Sequence, residues 1–319
     1  MSAPTLAVRV RSRILTAIDI VALELVPVEG TLPAFTAGAH IDVHLANGIV
    51  RQYSLLNDPA EAHRYVIAVQ RDRGSRGGSS YVHDAVPEGA TLTISPPRNH
   101  FPLVEDAPHV VLVGGGIGVT PLLSMAARLA ALGRSWELVY CARTRDHAAA
   151  RDTLAVYGER VRFNFDQEIG GRMLDLAELV AQAPEGTHFY CCGPTPMLGA
   201  FEAAMQARPG FGHVEYFAPK APDPAAAAVA DHAFDVELAR TGSTLRVEAN
   251  RSILDTLIDA GFDLPYSCQE GVCGSCETAV IEGEVEHRDF VLSDAEKTAS
   301  RSMMVCCSRA RGARLVLDL

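Results

Sequence analysis

Hydrophobic and polar residues alternate with a period of two through about the first third of the chain. The runs "LAVRVRS", "VALELVPV", "HIDVHL", "RYVIAVQR" and "TLTISPP" show this alternation up to about Glu105, and Gly, Pro and Asn separate them. Alternation of this kind predicts antiparallel strands that bury one face. We therefore expect an antiparallel sandwich or small β-barrel over residues 1–105.

Continuous apolar runs replace the alternation after residue 105. "HVVLVGGGIGVTPLLSMAARLAALG" predicts a buried strand, a glycine turn and a helix that ends at Gly133. "WELVYCAR" predicts a second buried strand, and "THFYCCGPTPMLGAFEAAMQA" predicts another strand, turn and helix. Strands that alternate with helices indicate a parallel α/β sheet, which we expect over residues 106–219.

A segment rich in Pro and Ala, "APKAPDPAAAAVAD", follows and has no periodic pattern. We interpret residues 220–231 as a linker between domains. Beyond it, "AFDVELARTG" and "STLRVEA" predict a hairpin, "SILDTLIDAG" a short helix and "RLVLDL" a last strand. Residues 232–319 are thus expected to form a small α+β domain, the third of three.

Length and composition are compatible with this division. A chain of 319 residues is long for one domain. Its net charge of −11 argues against a nucleic-acid partner, which calls for a basic surface. The apolar runs are shorter than the roughly 20 residues of a membrane helix, and "MSAPTLAVRVRSR" lacks a secretory signal core. We expect a soluble, cytoplasmic protein without a membrane partner.

The acidic charge is concentrated in residues 232–319, which contain 15 Asp and Glu but only 9 Lys and Arg. One interpretation is an ordinary solvated surface. The other is an acidic face that docks a basic redox partner. The sequence leaves both open.

The stretch "CQEGVCGSC" holds Cys268, Cys273 and Cys276, and "MMVCCSR" supplies Cys306 with Cys307 beside it. In a cytosolic chain such cysteines favour a metal site over disulfides. The C-x4-C-x2-C…C spacing is that of a plant-type [2Fe–2S] cluster, which needs two thiolates on each iron. A structural zinc site is the alternative, although zinc sites usually show two C-x2-C pairs.

The turn "GGGIGVTP" predicts a nucleotide site, because it follows a buried strand and opens a helix. Glycines let the backbone approach a pyrophosphate, and the helix N-terminus supplies free N–H groups. The pattern departs from the Rossmann fingerprint at Thr120 and Pro121, so a purely structural turn is the alternative. "CCGPTPM" forms a second turn after a later strand.

Two stretches in the first domain also carry candidate binding residues. "RQYSLLN" offers the planar guanidinium of Arg51 for a phosphate, Tyr53 for a flat ring and Ser54 for a ring edge. By composition alone this stretch is merely a strand. "RGSRGGSSYVHD" further on predicts an anion-binding turn at the start of a helix.

Together, "RQYSL", "RGGSS", "GGGIGVTP" and "CCGP" resemble the ferredoxin–NADP⁺ reductase superfamily, and the cysteine loop resembles a plant-type ferredoxin. A ferredoxin domain at the C-terminal end is typical of the phthalate dioxygenase reductase family, which includes vanillate demethylase reductases. The resemblance covers essentially the whole chain. It implies a flavin-binding β-barrel, an NAD-binding α/β domain and a β-grasp-like ferredoxin domain.

The resemblance also assigns site residues. It implies that FMN contacts Arg51, Tyr53, Ser54, Arg76, Gly78, Ser79 and Ser80. It implies that the nicotinamide nucleotide contacts Gly115, Gly116, Thr120, Cys192, Gly193 and Pro194, and that Glu215 and Phe217 form the family's E-x-F ending near the flavin. Its cluster ligands would be Cys268, Cys273, Cys276 and Cys306, since the last spacing then matches plant ferredoxins. Tyr216 departs from the small residue usual between Glu and Phe.

Ser54, Cys192 and Phe217 are the predicted catalytic residues, placed beside hydride transfer, and no general base is needed. The family mostly uses NADH. Arg143 and Arg145 in "CARTRDH" could bind the extra phosphate of NADPH, but Asp146 would oppose it.

The implied function is an NADH-dependent reductase that passes electrons from NADH to FMN, to the cluster and to a separate terminal oxygenase of the Rieske type. Flavin accepts two electrons together and releases them singly, which explains its middle position. Alternatives are a reductase for a cytochrome P450 or a soluble carrier, a redox-sensing module, and a free-standing oxidase.

Overall fold

The computed structural model describes residues 5–72, 74, 77–219 and 231–319. The chain divides after Phe217 into two compact units. The predicted linker lies almost wholly outside the described residues. The predicted domain boundaries, 1–105, 106–219 and 232–319, stay predictions.

The first part of the first unit is an antiparallel sheet. Its strands are β1 Leu6–Ala17, β2 Ile20–Pro27, β3 His40–His44, β4 Val50–Ser54, β5 Tyr65–Gln70 and β6 Thr91–Ile94. They hydrogen bond in the order β4-β3-β6-β1-β2-β5, with every pair antiparallel. Helix α1, Gly78–Ala85, lies between β5 and β6 in the chain. The alternating residues Val8, Val10, Leu23 and Leu25 are buried in one core, so the period-two prediction is confirmed.

The second part of the unit is a parallel sheet with helices. Its strands are β7 His109–Gly115, β8 Trp136–Ala142, β9 Val161–Phe165, β10 Thr187–Cys192 and β11 Gly212–Glu215. Its helices are α2 Val119–Ala131, α3 Arg151–Ala155, α4 Leu176–Gln182 and α5 Thr195–Met205. The order is β11-β10-β7-β8-β9. All pairs are parallel, which confirms the predicted parallel sheet. The carboxyl ends of all five strands therefore meet at one edge.

One buried and one partly buried hydrogen bond join these two parts of the unit. The backbone N–H of Gly38, which precedes β3, donates to the hydroxyl oxygen of Ser124 in α2 over 3.1 Å. The N–H of Val104 donates to the hydroxyl oxygen of Tyr190 in β10 over 2.8 Å. The antiparallel sheet is thus held against the amino-terminal half of α2 and the middle of the parallel sheet.

The second unit is a mixed sheet with two short helices. Its strands are β12 Phe234–Leu238, β13 Ser243–Val247, β14 Glu277–Glu282, β15 Val285–Glu286, β16 Ser302–Met304, β17 Arg309–Ala310 and β18 Arg314–Leu317. Helix α6 is Ile253–Asp259 and helix α7 is Asp294–Ala299. The five-stranded order is β13-β12-β18-β14-β16, and β15 pairs with β17. The predicted hairpin, helix and last strand are all confirmed.

Helix starts in this unit follow from local sequence. Ser252 caps α6 by accepting a hydrogen bond from the N–H of Asp255. Ser293 and Glu296 form a capping box at α7. None of the helices in the described parts of the chain is both long enough and apolar enough to cross a membrane. The cytoplasmic location stays a prediction.

Candidate functional site

Two turns lie in backbone contact at the carboxyl edge of the parallel sheet. The first runs from β7 through residues 116–118 into α2, and Gly116 there has a φ of +56°. The second follows β10. A Cβ on Gly118 would lie 2.3 Å from the carbonyl oxygen of Cys192, and one on Gly115 would lie 2.7 Å from Cδ of Pro194. Only glycine permits this approach. Gly115 and Gly118 are therefore needed for the contact between the two turns and not only to reverse the chain direction.

The start of α2 fits a phosphate group. No side chain caps the helix at Gly118, and the Thr120 hydroxyl donates instead to the carbonyl oxygen of Ile117 over 2.9 Å. The first N–H groups of a helix lack intrahelical partners and attract anions. A Cβ on Gly115 would lie 3.2 Å from Cα of Gly193, so these two predicted residues are close together, and their role in nucleotide binding stays a prediction. Gly118 is not among the predicted site residues, although it lies within the glycine motif "GGGIGVTP".

Cys192 and Glu215 face each other in register on the neighbouring strands β10 and β11. The Cys192 thiol is fully buried, and burial, followed by the nearby Glu215, raises its pKa well above the ordinary value. Burial raises the pKa of Glu215 to about 8. Its Oε2 atom has no hydrogen-bond partner among the described residues. The strand ends therefore present a neutral thiol beside a carboxyl group that is protonated at neutral pH.

The two residues after Glu215 differ in exposure. Phe217 is 44% exposed, whereas Tyr216 is buried and its hydroxyl contacts a carboxylate oxygen of Glu202 in α5. The departure at Tyr216 thus directs this side chain towards α5. Phe217 keeps an open aromatic surface, which suits a residue that covers a flat ring.

Glu215 gives a pH-dependent prediction. Its pKa rises from 4.5 to about 8 in the folded chain, so the stabilisation from its bound proton is complete below pH 4.5 and disappears as pH rises through 8. Between pH 5 and pH 8, the thermal midpoint of the native protein should fall relative to Glu215→Gln. The expected difference is on the order of 10 °C, since the proton linkage amounts to about 3–4 kcal/mol over this range and 1 kcal/mol corresponds to about 2–4 °C for a domain of this size. Glu185→Gln, an exposed control, should follow the native protein. Equal pH slopes for native protein and Glu215→Gln would contradict the prediction.

The predicted flavin residues lie on β4 and at the start of α1. Ser54 is buried opposite His40 of β3, and burial raises the pKa of Tyr53 above its usual range. The Arg51 side chain packs on the first residue of α1, because a Cβ on Gly78 would lie 2.7 Å from its Cγ atom. The guanidinium group and the helix N-terminus are thus brought close together.

The rest of this turn is only partly described. Gly77 has a φ of +92° at the N-cap of α1. The hydroxyl oxygen of Ser79 accepts a hydrogen bond from the N–H of Asp72 over 3.1 Å, and Ser80 is half-buried. Arg76 lies outside the described residues. The described part fits one phosphate group, held by the helix N-terminus and Arg51.

The cysteine loop lies between α6 and β14 and contains three left-handed residues, Gln269, Gly271 and Gly274. These conformations turn backbone N–H groups towards sulfur. The N–H of Glu270 donates to Sγ of Cys268 over 3.3 Å, and that of Cys268 donates to Sγ of Cys273 over 3.5 Å. Glycine adopts this conformation readily at Gly271 and Gly274, whereas nothing in the sequence signals it at Gln269.

The four predicted ligands are brought together in two pairs. Hydrogen bonding to Cys268 and then burial raise the pKa of Cys273. Hydrogen bonding to Cys306 and then burial raise that of Cys276. Cys268 also contacts Cys306. No three or more His, Cys, Asp or Glu side chains in the described residues are grouped to hold a single metal ion. Two thiol pairs suit a two-iron cluster, with one pair for each iron.

Cys307 packs behind the loop. A Cβ on Gly271 would lie 2.7 Å from its Sγ atom, and a hydrogen bond with Cys306 lowers its pKa. The absence of a side chain at Gly271 therefore makes room for this second thiol. The assignment of Cys306 as the ligand stays a prediction.

Comparison with known proteins adds two family matches. Residues 112–203 match an oxidoreductase NAD-binding domain, and residues 236–311 match a 2Fe-2S iron-sulfur cluster binding domain. Phenoxybenzoate dioxygenase subunit beta of Ectopseudomonas oleovorans is 53% identical over 294 residues, which cover 92% of this chain and 90% of that protein.

Solved structures extend the similarity. Phthalate dioxygenase reductase, described as a modular structure for electron transfer from pyridine nucleotides to [2Fe-2S], is 40% identical with a TM-score of 0.72 over 99% of this chain and 98% of that one. The chain belongs to the phthalate dioxygenase reductase family. An intact type IV self-sufficient cytochrome P450 monooxygenase is 39% identical with a TM-score of 0.91; it covers 100% of this chain, which spans 42% of that protein.

Membership of the phthalate dioxygenase reductase family confirms the predicted resemblance, the three-part fold class and the reaction class. The chain is the reductase component of a two-component oxygenase or demethylase system. It carries electrons from NAD(P)H through a flavin to a 2Fe-2S cluster. The thiol pairs, the glycine turns and the turn beside Arg51 all fit the groups that this family requires.

Proposed function

We propose that the chain is an NADH-dependent reductase that holds FMN and a [2Fe–2S] cluster and supplies electrons to a separate Rieske-type oxygenase. The observation that carries the proposal is the set of two thiol pairs built by the cysteine loop and Cys306. A two-iron cluster takes up electrons singly, so it needs a flavin between itself and a two-electron donor. A separate oxygenase is the natural acceptor for single electrons delivered in turn.

The phosphate site supports FMN as the flavin. Arg51 and the start of α1 provide one anion site, and FMN carries one phosphate group. Ser79 and Ser80 follow directly in the first turn of α1 and would add hydroxyl donors. In this assignment Tyr53 would pack along the flavin ring and Ser54 would donate a hydrogen bond to its edge.

The edge of the parallel sheet supports a role in positioning the nicotinamide. The turn at Gly115 and Gly116 would bind the pyrophosphate, and Thr120 would lie in the first turn of α2 beside it. Cys192, followed by Gly193 and Pro194, would flank the nicotinamide ring. The buried thiol is neutral, so it excludes water without placing a charge beside the transferred hydride.

Glu215 and Phe217 would complete this side of the site. Glu215 can donate or accept a hydrogen bond because its carboxyl group is protonated at neutral pH. The exposed ring of Phe217 would cover the flavin. These residues bind, orient and exclude water; the redox chemistry comes from the bound cofactors.

An anaerobic titration with NADH tests the proposal. Stepwise addition to the purified protein should bleach the flavin bands and then the cluster bands, and NADPH should be a poorer donor. Bleaching of the flavin alone would contradict the route from flavin to cluster. Reduction of both groups by dithionite but not by NADH would contradict the nucleotide assignment.

A reductase for a cytochrome P450 is the second candidate. It is favoured by the similarity of the whole chain to part of the self-sufficient P450 monooxygenase. Reconstituted turnover separates the two candidates: the reduced protein is offered in turn to a purified Rieske oxygenase and to a purified P450, with product formation as the readout. The proposal requires higher turnover per NADH with the Rieske oxygenase.

A further inference from the structure

A fully buried aspartate lies against the cysteine loop. The Asp289 side chain has no exposed surface, and the residue stands between β15 and α7. A Cβ on Gly271 would lie 3.1 Å from Cα of Asp289, and the N–H of Phe290 donates to the carbonyl oxygen of Gly271 over 2.8 Å. Gly271 lies between Cys268 and Cys273 in the chain. The aspartate is therefore placed beside the loop that supplies three of the four predicted ligands.

Neutral donors hold the Asp289 carboxylate in place. Its Oδ2 atom accepts hydrogen bonds from the main-chain N–H groups of Val291 over 3.2 Å and of Leu292 over 2.8 Å. Its Oδ1 atom accepts one from the hydroxyl group of Ser308 over 3.5 Å. Ser308 comes two residues after Cys306. The carboxylate therefore lies between the two parts of the chain that supply the predicted ligands.

The charged groups around Asp289 leave its carboxylate without a bonded lysine or arginine. Lys297 of α7 donates instead to the main-chain carbonyl oxygen of Asp289 over 2.7 Å. Arg288 forms an ion pair with Asp231 over 2.6 Å. His287 approaches the carboxylate, with its Nδ1 atom 3.5 Å from Oδ1, and is a cation only when protonated. In the described parts of the chain, no Lys or Arg forms an ion pair with this carboxylate.

A buried negative charge disfavours electron uptake by a cluster beside it. The reduction potential of an iron–sulfur cluster is set partly by net charge, and charges interact more strongly inside a protein than in water. We propose that the buried carboxylate of Asp289 lowers the reduction potential of the [2Fe–2S] cluster. This inference rests on the cluster site of the proposed function. A lower potential makes the reduced cluster a stronger donor to the acceptor that follows it.

A redox titration of the holoprotein tests the inference, with dithionite as reductant and the electron paramagnetic resonance signal of the reduced cluster as readout. Asp289→Asn removes the charge and keeps an oxygen that can accept the N–H of Leu292. The equilibrium for cluster reduction should shift about tenfold towards the reduced form, the effect of a unit charge roughly 10–12 Å away at an effective dielectric constant of about 20. Tenfold corresponds to a rise of about 59 mV in the midpoint potential for one electron. An unchanged or lower midpoint in Asp289→Asn would overturn the inference.

Two control variants separate the effect of charge from a general loosening of the loop. Lys297→Gln removes a positive charge next to Asp289 and should move the midpoint in the opposite direction. Asp294→Asn removes a negative charge from the exposed first residue of α7, where water and salt screen it, and should leave the equilibrium within about twofold of the native value. Shifts of the same sign in Asp289→Asn and Lys297→Gln would overturn the inference. An equal rise in Asp294→Asn would also overturn it.

The same titration separates this inference from the proposed function, because it requires neither NADH nor an oxygenase. A native protein without a cluster signal would contradict the cluster of the proposed function. With the native signal present, the midpoint of the Asp289 variant decides the inference, whether or not NADH reduces the flavin. Asp289→Ser is a second neutral variant whose hydroxyl oxygen can accept a main-chain hydrogen bond. It provides the same test, with the same expected rise, if Asp289→Asn does not keep its cluster.

Discussion

Replacing Cys273 with alanine is expected to abolish the visible absorption bands and the electron paramagnetic resonance signal of the cluster, while the flavin remains reducible by NADH. Cys273 is buried and lies beside Cys268, so in the proposed arrangement its loss would leave one iron with a single thiolate. The rate at which the protein reduces a one-electron acceptor such as cytochrome c should also fall. Replacing a residue that only supports a metal ligand already lowers metal affinity or activity by roughly 10–100-fold, and we expect a larger loss here. The measurement combines an NADH titration with the cytochrome c assay.

Cys307→Ala is the matched control for this experiment. Cys307 neighbours the same loop but is not a predicted ligand, so its variant should keep the cluster signals. Cys306→Ala should lose them. The opposite result, with the cluster lost in Cys307→Ala and kept in Cys306→Ala, would show that the ligand assignment is wrong. A cluster retained in Cys273→Ala would contradict the paired arrangement itself.

Replacing Gly118 with alanine should damage nucleotide use severely. The new Cβ would lie 2.3 Å from the Cys192 carbonyl oxygen and 2.7 Å from the Gly193 nitrogen, and backbone atoms cannot rotate aside. The turns must separate, which should cost about 1–3 kcal/mol of stability. A displacement near 1 Å in the site lowers rates by about 100-fold, so kcat/KM for flavin reduction by NADH should fall on that order.

Gly199→Ala provides a control with the same chemical change. Gly199 is exposed within α5, and nothing lies within 4 Å of a Cβ built there. Alanine is the better helix former, so this variant should gain roughly 0.5–1 kcal/mol and keep native kinetics. Stopped-flow flavin reduction and thermal unfolding of both variants check the pair. Native kinetics in Gly118→Ala would disprove the proposed contact between the turns.

The sequence predicted those parts of the fold that depend on local periodicity. Alternation in "LAVRVRS" and continuous apolar residues in "HVVLVGG" identified a strand with one buried face and a strand buried on both. Strand order did not follow, because β6 pairs with both β1 and β3, which are distant in sequence. Such pairing depends on tertiary packing of whole strands and leaves no local pattern.

The candidate site also has parts that the local sequence predicts and parts that only the folded chain reveals. The cysteine spacing predicted the four thiols because three lie in one loop and the fourth follows a short strand. The contact between the turns after β7 and β10 could not be predicted, since it arises from the pairing of two strands that lie far apart in the chain. The single phosphate site depends on Arg51 meeting Gly78, and only the fold brings β4 beside the start of α1.

The central position of β18 has a consequence for biosynthesis. β18 lies between β12 and β14, yet it is the last described strand to leave the ribosome. Since domains form as units during translation, the second unit cannot close its sheet until residues 314–317 have emerged, after all four cysteines that are predicted to be cluster ligands. A cluster that enters the complete domain would therefore be inserted only after residues 314–317 have been synthesised.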